Sequence, residues 1–154
     1  MSIPLVEGSK APAFSIETTD GKKQLSSYKG KYLVLYFYPK DDTPGCTNEA
    51  KDFSALASDF ATAGAEILGV SRDTLAKHGK FADKHDLNIP LGADEDGGVC
   101  EAYGTWVEKN MYGRTYMGIA RSTFLIGSDG RIKRIWPKVR VKGHAQQVLD
   151  CVSS

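Results

Sequence analysis

The chain has 154 residues, of which 41% are hydrophobic, and its 20 basic and 19 acidic residues give a formal net charge of +1. This length and composition predict a single globular domain over 1–154, and the near-neutral charge excludes an electrostatic reason to expect nucleic acid or an acidic membrane surface as a partner. No stretch reads as a membrane span or secretory signal, and three cysteines make no disulfide framework, so a cytoplasmic protein is expected.

The predicted elements alternate between strands and helices along the chain. A β-branched and aromatic run at 29–39, ended by Pro39, is typical of a buried strand, and apolar residues at helical spacing then predict a helix over 48–64. The later elements predicted are a buried strand at 65–71, an amphipathic helix at 73–87, a short apolar segment at 89–94, a short helix at 97–104, a hairpin at 121–137 and a last helix at 143–152.

This order of elements predicts an α/β fold with a central mixed β-sheet flanked by helices. Two strands separated by one helix are expected to be parallel, with a right-handed crossover. In such sheets functional sites lie beyond the carboxyl ends of the strands. The strand that ends at Pro39 points toward Cys46, which makes this cysteine the candidate reactive group.

The residues before Cys46 are typical of the start of a helix. Thr43 is placed to cap it, Pro44 suits the first helical position and Cys46 would be the third residue. Free backbone N–H groups and the positive end of the helix dipole favour a thiolate there, and Gly45 leaves space beside the sulfur.

A reactive thiolate at this position also needs a cation to stabilise charge that develops on a substrate. Four basic residues are candidates on the sequence alone, and their spacing does not choose among them: Lys40, Arg72, Arg114 and Arg121.

The segment from Pro39 to Cys46 resembles a known family. Pro39-x3-Thr43-x2-Cys46 matches the active-site motif of the peroxiredoxins, and the surrounding YFYPKDDTPGCTNEA is similar to the bacterioferritin comigratory protein, or PrxQ, branch. The resemblance extends over nearly the whole chain, through APAFSIETTDGK, ILGVSRD, DEDGGVCEAYGTW and GIARSTFLIGSDGRI. It implies a thioredoxin-like fold with an N-terminal β-hairpin.

The resemblance also implies roles for individual residues. Cys46 would be the peroxidatic cysteine, Thr43 the hydroxyl that contacts the peroxide, Arg121 the guanidinium near the sulfur and Pro39 a shield over the pocket, with Pro44 and Gly45 lining the substrate site. The implied activity is reduction of hydrogen peroxide and organic hydroperoxides through a sulfenic acid at Cys46. Thioredoxin, or glutaredoxin with glutathione, would recycle it; no cofactor or metal is implied, and a monomer is expected.

The cysteine that would resolve this sulfenic acid is missing from both positions where relatives carry it. Those positions hold Lys51 and Ala82 here. Three explanations stay open: a one-cysteine enzyme, resolution by Cys100 or Cys151, or an altered sequence at these positions. Cys100 is expected to be a small buried hydrophobe, and Cys151 to be incidental or to act between chains.

The other candidate residues have simpler interpretations. No cysteine or histidine pair has the spacing of a zinc site, so His78, His85 and His144 are expected to be solvated helix residues. Four aromatic residues are expected to be packing or loop anchors: Trp106, Tyr112, Tyr116 and Trp136.

Three other functions compete with a peroxidase on the sequence alone. A thioredoxin-like thiol–disulfide oxidoreductase normally needs Cys-x-x-Cys, but Thr43 stands three residues before Cys46. The other two are a binding or chaperone protein with an incidental thiol, and a glutathione-peroxidase-like enzyme, against which the Pro39-to-Cys46 spacing argues.

Overall fold

A seven-stranded mixed β-sheet forms the centre of the structure, a computed structural model that describes residues 5–153. Its strands and those of a separate hairpin are β1 Ser15–Thr18, β2 Gly21–Gln24, β3 Tyr32–Phe37, β4 Ala65–Ser71, β5 Leu91–Ala93, β6 Trp106–Met111, β7 Arg114–Ile119, β8 Ser122–Ile126 and β9 Ile132–Trp136. The helices are α1 Pro44–Ala55, α2 Ala57–Thr62, α3 Leu75–His85, α4 Gly98–Ala102 and α5 His144–Ser153, with a 3₁₀ turn at Leu25–Tyr28.

The sheet has the order β2-β1-β5-β4-β3-β8-β9, and among the described residues β6 pairs only with β7. Strands β3, β4 and β5 are parallel, whereas β8 runs antiparallel to β3. The predicted parallel pairing of the first two buried strands is therefore confirmed, and so is the N-terminal hairpin, formed by β1 and β2.

Strand β3 is the middle of the core, because both of its faces are covered. Val34, Tyr36 and the following Tyr38 face a cluster that includes residues of α1, α2, α3 and α5. Leu33, Leu35 and Phe37 face a second cluster, which includes residues of α4. A continuous apolar run of this kind is typical of a central strand, as the sequence predicted.

The predictions need correction at one helix and at one hairpin. The helix predicted over 48–64 is two helices, because the backbone at Leu56 (φ −100°, ψ 4°) leaves the helical range. No element was predicted over 106–119, where β6 and β7 form a hairpin. Its turn places Tyr112 and Gly113 at positive φ, which suits a two-residue hairpin turn but lacks the usual Asn-Gly signal.

The prediction for the aromatic residues holds for the tryptophans and is wrong for the tyrosines. Trp136 is buried and Trp106 packs against the second core cluster. Tyr112 is 98% exposed at the hairpin turn and Tyr116 is 42% exposed on β7, because this two-stranded hairpin lies outside the central sheet.

The prediction of solvated histidines is also wrong. His78 and His144 are 0% and 3% exposed, and His85 is half-buried. Both buried rings have polar partners: His78 lies beside Asp41, and His144 Nε2 is 2.8 Å from the hydroxyl of Thr123. Burial lowers the pKa of His144 to about 4, so this ring is neutral at physiological pH.

A glycine on β4 gives a prediction about stability. A Cβ on Gly69 would lie 2.7 Å from Cζ of Tyr36, whose ring stacks on Phe53 and cannot move aside. We expect Gly69→Ala to lower the free energy of unfolding by about 1–3 kcal/mol, measured by urea denaturation.

The matched control is Gly79→Ala in the interior of α3. In the part of the chain that the structure describes, no atom beyond its immediate helix backbone lies within 4 Å of a Cβ there. Alanine should therefore raise the free energy of unfolding by roughly 0.5–1 kcal/mol. Equal effects of the two alanines would contradict the close approach of Tyr36.

No helix within residues 5–153 combines the length and the apolar character needed to cross a membrane.

Candidate active site

Cys46 lies beyond the carboxyl end of β3, at the third position of α1. Thr43 is the N-cap residue, with extended backbone angles of −91° and 155°, and Pro44 is the first helical residue, so the predicted helix start is confirmed. The cysteine is only 1% exposed. Its sulfur is therefore held at the amino end of a helix, in surroundings with little water.

The hydroxyl of Thr43 is used differently from an ordinary helix cap. It donates a hydrogen bond of 2.9 Å to the carbonyl oxygen of Lys40, in the loop that precedes the helix. The hydroxyl hydrogen is therefore already engaged, and the lone pairs of Oγ stay available to accept a hydrogen bond.

Arg121 is the cation that the fold brings to the sulfur. It directly precedes β8, whose first residue, Ser122, pairs with Phe37 at the end of β3. This register places the guanidinium over the start of α1, where Nη2 donates to Sγ of Cys46 at 3.2 Å. A Cβ on Gly45 would lie 3.1 Å from the same Nη2, so glycine at this position leaves room for the guanidinium.

Another of the four candidate cations has a different role. The guanidinium of Arg72 lies 4.4 Å from the centroid of the Trp106 ring and donates to the carbonyl of Glu95. Arg121 is thus the cation that contacts Cys46.

Glu49 completes the polar contacts of this guanidinium and was missed by the sequence analysis. Its Oε1 accepts a hydrogen bond of 2.7 Å from Nη1 of Arg121, and the side chain is 1% exposed. Burial raises the pKa of Glu49 to about 7, against the lowering effect of Arg121. The signal that could have found it is its spacing, since a residue three positions after Cys46 lies on the same helix face.

The charges of this cluster act on one another. Burial opposes the charge on Arg121, but Glu49 and Cys46 keep its pKa above the usual value, so the guanidinium stays charged. Within residues 5–153, Oε2 of Glu49 has no hydrogen-bond partner. The cluster therefore holds a permanent positive charge between a sulfur atom and a carboxyl group that is half-protonated near neutral pH.

The raised pKa of Glu49 predicts how stability depends on pH. Its folded-state pKa of about 7 lies above the ordinary value of 4.5, so the protonated side chain favours folding at low pH. This contribution is lost as the pH rises from about 4.5 through about 7, because the unfolded chain ionises first. The free energy of unfolding of the wild type, relative to Glu49→Gln, should fall by about 2–3 kcal/mol across this window.

Urea denaturation of both proteins at several pH values between these limits measures the difference. Glu108→Gln, at an exposed position on β6, is the matched control for the same change of side chain outside the core. A flat difference for Glu49→Gln would contradict the burial of its carboxyl group.

Lys109 on β6 is a second residue that the sequence analysis missed. Burial and the positive charge of Arg121 lower its pKa, while Cys46 acts in the opposite direction. The middle of β6 is thus close enough to the site for its lysine to be affected by these two charges. Lys109 could not be placed from sequence because the hairpin itself was not predicted.

The remaining residues of the predicted site are less buried than Cys46. Pro39 and Pro44 are exposed, and Thr43 and Gly45 are half-buried. The shielding role of Pro39 stays a prediction.

The other two cysteines lie in different surroundings. Cys100 in α4 is 0% exposed and belongs to the core cluster on the other face of the sheet from Cys46. The prediction that it is a small buried hydrophobe is therefore confirmed. Burial raises the pKa of its thiol well above the usual range. Cys151 in α5 is half-buried and lines a surface cleft together with Arg131 and Lys133.

Comparison of the chain with known protein families and proteins gives consistent matches to one family. The model of the AhpC/TSA family matches residues 8–135. Peroxiredoxin Bcp of Bacillus subtilis is 50% identical over 144 residues, which are 93% of this chain and 92% of that protein. Peroxiredoxin Bcp of Escherichia coli is 40% identical over 148 residues, or 96% of this chain and 95% of that one.

Solved structures show the same fold. Peroxiredoxin Q of Xanthomonas campestris superposes with a TM-score of 0.86 at 46% identity, covering 90% of this chain and 89% of that one. A mutant of Xylella fastidiosa PrxQ superposes with a TM-score of 0.92 at 38% identity, covering 98% and 97%. The chain therefore belongs to the AhpC/TSA family and, within it, to the peroxiredoxins of the bacterioferritin comigratory protein, or PrxQ, branch, with their thioredoxin-like fold.

Proposed function

We propose that this thiol peroxidase reduces hydrogen peroxide and organic hydroperoxides through a sulfenic acid formed on Cys46. The observation that carries the proposal is the contact of 3.2 Å between Nη2 of Arg121 and Sγ at the amino end of a helix. A guanidinium and free helix N–H groups both favour the thiolate form, which is the nucleophile. The same cation is placed to stabilise charge that moves from sulfur to a nearby oxygen.

The proposed chemical step needs neither a metal nor an organic cofactor, because the peroxide itself is the oxidant. The thiolate of Cys46 attacks the terminal oxygen of ROOH, an S–O bond forms and the O–O bond breaks. The sulfur loses two electrons and becomes a sulfenic acid, while RO⁻ leaves with them and takes a proton from solvent to give ROH. Arg121 would stabilise the negative charge as it passes to the leaving oxygen.

Thr43 has a defined part in this step. Its hydroxyl hydrogen is donated to Lys40, so Oγ can accept a hydrogen bond from the O–H of a bound peroxide. Such a contact would turn the terminal oxygen toward the sulfur and hold the O–O bond in line with the attack. Pro44 and Gly45 would form the floor of the same small site.

Organic hydroperoxides are included because of a solved relative. The bacterioferritin comigratory protein of Xanthomonas campestris, whose trapped intermediate and ligand complex structures are known, has alkyl peroxide reduction activity. That protein is 45% identical to this chain, superposes with a TM-score of 0.86, and covers 90% of this chain.

A thiol from another molecule is the proposed reductant of the sulfenic acid. Lys51 on α1 and Ala82 on α3 stand at the two positions where the family resemblance implies a second cysteine. Cys100 lies on the opposite face of the sheet, which argues against it as a partner of Cys46. Thioredoxin, or glutaredoxin with glutathione, would then complete the cycle of a monomeric, cytoplasmic enzyme, and resolution by Cys151 of a second chain is the alternative.

Mass spectrometry of the intact protein after one equivalent of peroxide tests the proposal. With a sulfenic-acid trap present, we expect one adduct, located on Cys46 by peptide mapping. Without the trap, a species with one added oxygen supports the one-cysteine cycle, and a disulfide-linked dimer would support Cys151. Absence of any modification of Cys46 would refute the proposed function.

A further inference from the structure

Two consecutive aspartates in the loop before Cys46 are both held by side chains of α3. The first, Asp41, is buried, and its Oδ2 lies 2.6 Å from Nδ1 of His78. Its other oxygen, Oδ1, accepts a hydrogen bond of 2.6 Å from the hydroxyl of Tyr38. Every oxygen of this buried carboxyl group therefore has a close partner, as buried polar groups require.

His78 is itself fixed in one orientation. The ring is 0% exposed, and Nε2 lies 2.8 Å from the carbonyl oxygen of Gly92 on β5. A carbonyl oxygen only accepts, so Nε2 carries a hydrogen, and Nδ1 shares a hydrogen with Asp41. His78 thus connects the central sheet to the loop through its two ring nitrogens.

The backbone of Asp41 is held as well. Its N–H donates to Oδ2 of Asp73 at 2.8 Å, and the same oxygen accepts from the hydroxyl of Ser71 at 2.7 Å. Atoms of Asp41, Asp73 and His78 that could bind a metal lie within 4.8 Å of one another. The hydrogen bonds that these groups make account for this grouping without an ion.

The second aspartate, Asp42, is held from the outside. Its carboxylate is 2.8 Å from Nζ of Lys84 and 2.9 Å from Nε2 of His85, and hydrogen bonds from His85 and Lys84 lower its pKa. Asp42 has a φ of +62°, in the left-handed region that residues with a side chain rarely adopt. The two contacts with α3 hold the backbone in this unfavourable conformation.

The loop that these residues fix determines where the hydroxyl of Thr43 points. The peptide group between Lys40 and Asp41 is planar, with its N–H bound to Asp73 and its C=O bound to the hydroxyl of Thr43. A rotation of Asp41 away from His78 would turn this peptide and release the hydroxyl. The position of His78 is therefore transmitted to Thr43 through one carboxylate and one peptide group.

We infer that His78 is a positioning residue of the peroxidase reaction, and that α3 acts as a clamp that orients Thr43 through Asp41 and Asp42. This inference rests on the proposed function, because the hydroxyl matters for rate only if Thr43 contacts the peroxide. It assigns no role to the ring of His78 in the chemical step itself.

Two substitutions of His78 separate the contacts of its two ring nitrogens. An asparagine amide can take the place of Nδ1 and keep the contact with Asp41, whereas a glutamine amide can reach the place of Nε2 and keep the contact with Gly92. We expect His78→Gln to lower the second-order rate constant of Cys46 with hydrogen peroxide about tenfold, since a displacement near 1 Å can cost up to about a hundredfold. His78→Asn should stay within about twofold of the wild type.

Two further measurements distinguish positioning from a purely structural role. Both variants lose one buried hydrogen bond, so both should unfold at a somewhat lower temperature. Arg121 and the helix start are unchanged, so alkylation of Cys46 by iodoacetamide should change less than about twofold in either variant. Equal peroxide rates in the two variants would overturn the inference, as would a parallel loss of alkylation and peroxide reactivity.

The outer half of the clamp offers a variant whose changes lie outside the core. Lys84→Met combined with His85→Leu removes both contacts of Asp42, because neither new side chain can donate a hydrogen bond to its carboxylate. We expect its peroxide rate constant to fall about threefold, and an unchanged rate constant would show that Asp42 has no part in the clamp.

Hydrogen exchange keeps the inference testable if the proposed function fails. Should wild-type Cys46 not react with peroxide, the peroxidase proposal is refuted, but the clamp still predicts faster exchange of the amides at 40–47 in His78→Gln than in His78→Asn. Equal exchange in this segment would overturn the clamp in either case.

Discussion

Replacement of Cys46 by serine is expected to abolish peroxide consumption, with a loss of at least about a thousandfold in rate. A serine hydroxyl stays protonated near neutral pH and is a far weaker nucleophile toward an O–O bond than a thiolate. The fold should be unaffected, because serine is similar in size and can still accept the hydrogen bond from Arg121. Loss of hydrogen peroxide in the presence of dithiothreitol measures the effect.

The other cysteines supply the controls for this experiment. Cys100→Ala and Cys151→Ser should both keep the first turnover, which is the rapid oxidation of Cys46 by one equivalent of peroxide. Alanine is chosen at position 100 because that side chain is fully buried, where a serine hydroxyl would be costly. A first turnover lost equally in Cys100→Ala would contradict the assignment of Cys46.

Steady-state turnover separates the two sources of a second thiol. If an external reductant such as thioredoxin reduces the sulfenic acid directly, Cys151→Ser turns over at the wild-type rate with a thioredoxin system. A variant with a normal first turnover and slow later ones would instead indicate that Cys151 resolves between chains.

The local part of the site could be predicted because helix starts depend on neighbouring residues. Thr43, Pro44 and Cys46 occupy the predicted cap, first and third positions of α1. Glu49 follows from the same helix geometry, but a lone glutamate in a helix gives no sign of its burial. The raised pKa of this residue depends on core packing, which sequence patterns do not describe.

The distant part of the site depends on strand pairing. Arg121 reaches Cys46 because β8 is antiparallel to β3 and Ser122 pairs with Phe37. Composition and spacing left four cations open, and only the family resemblance singled out Arg121. Lys109 depends on a hairpin whose turn residues carry no strong signal.

The histidines show why polar residues mislead sequence analysis. His78 and Phe81 lie one helical turn apart on α3 and are both buried, so the inner face of this helix includes a polar ring. Periodicity treats such a ring as part of the solvent side. Its burial becomes explicable only when its partners, Asp41 from the loop and Gly92 from β5, are known.

Replacement of Arg121 by methionine is expected to lower the second-order rate constant with hydrogen peroxide about 100- to 1,000-fold, the usual effect of removing one donor that stabilises developing charge. Arg121→Lys keeps the positive charge but cannot contact Sγ and Glu49 together, so it should fall between methionine and the wild type. Stopped-flow measurement of the first turnover gives these values. Arg72→Met, which removes a guanidinium that lies over Trp106, should leave the rate constant unchanged.

A second substitution separates stability from catalysis at this site. Arg121→Met leaves the carboxyl group of Glu49 buried without its cation, which should destabilise the protein by several kcal/mol. Adding Glu49→Gln replaces that carboxyl by a neutral amide and should restore much of the free energy of unfolding. It should not restore the rate constant, because charge on the leaving oxygen would still lack a cation. If the double variant regained peroxide reactivity together with stability, Arg121 would be a structural partner of Glu49 and the proposed mechanism would lose its electrostatic basis.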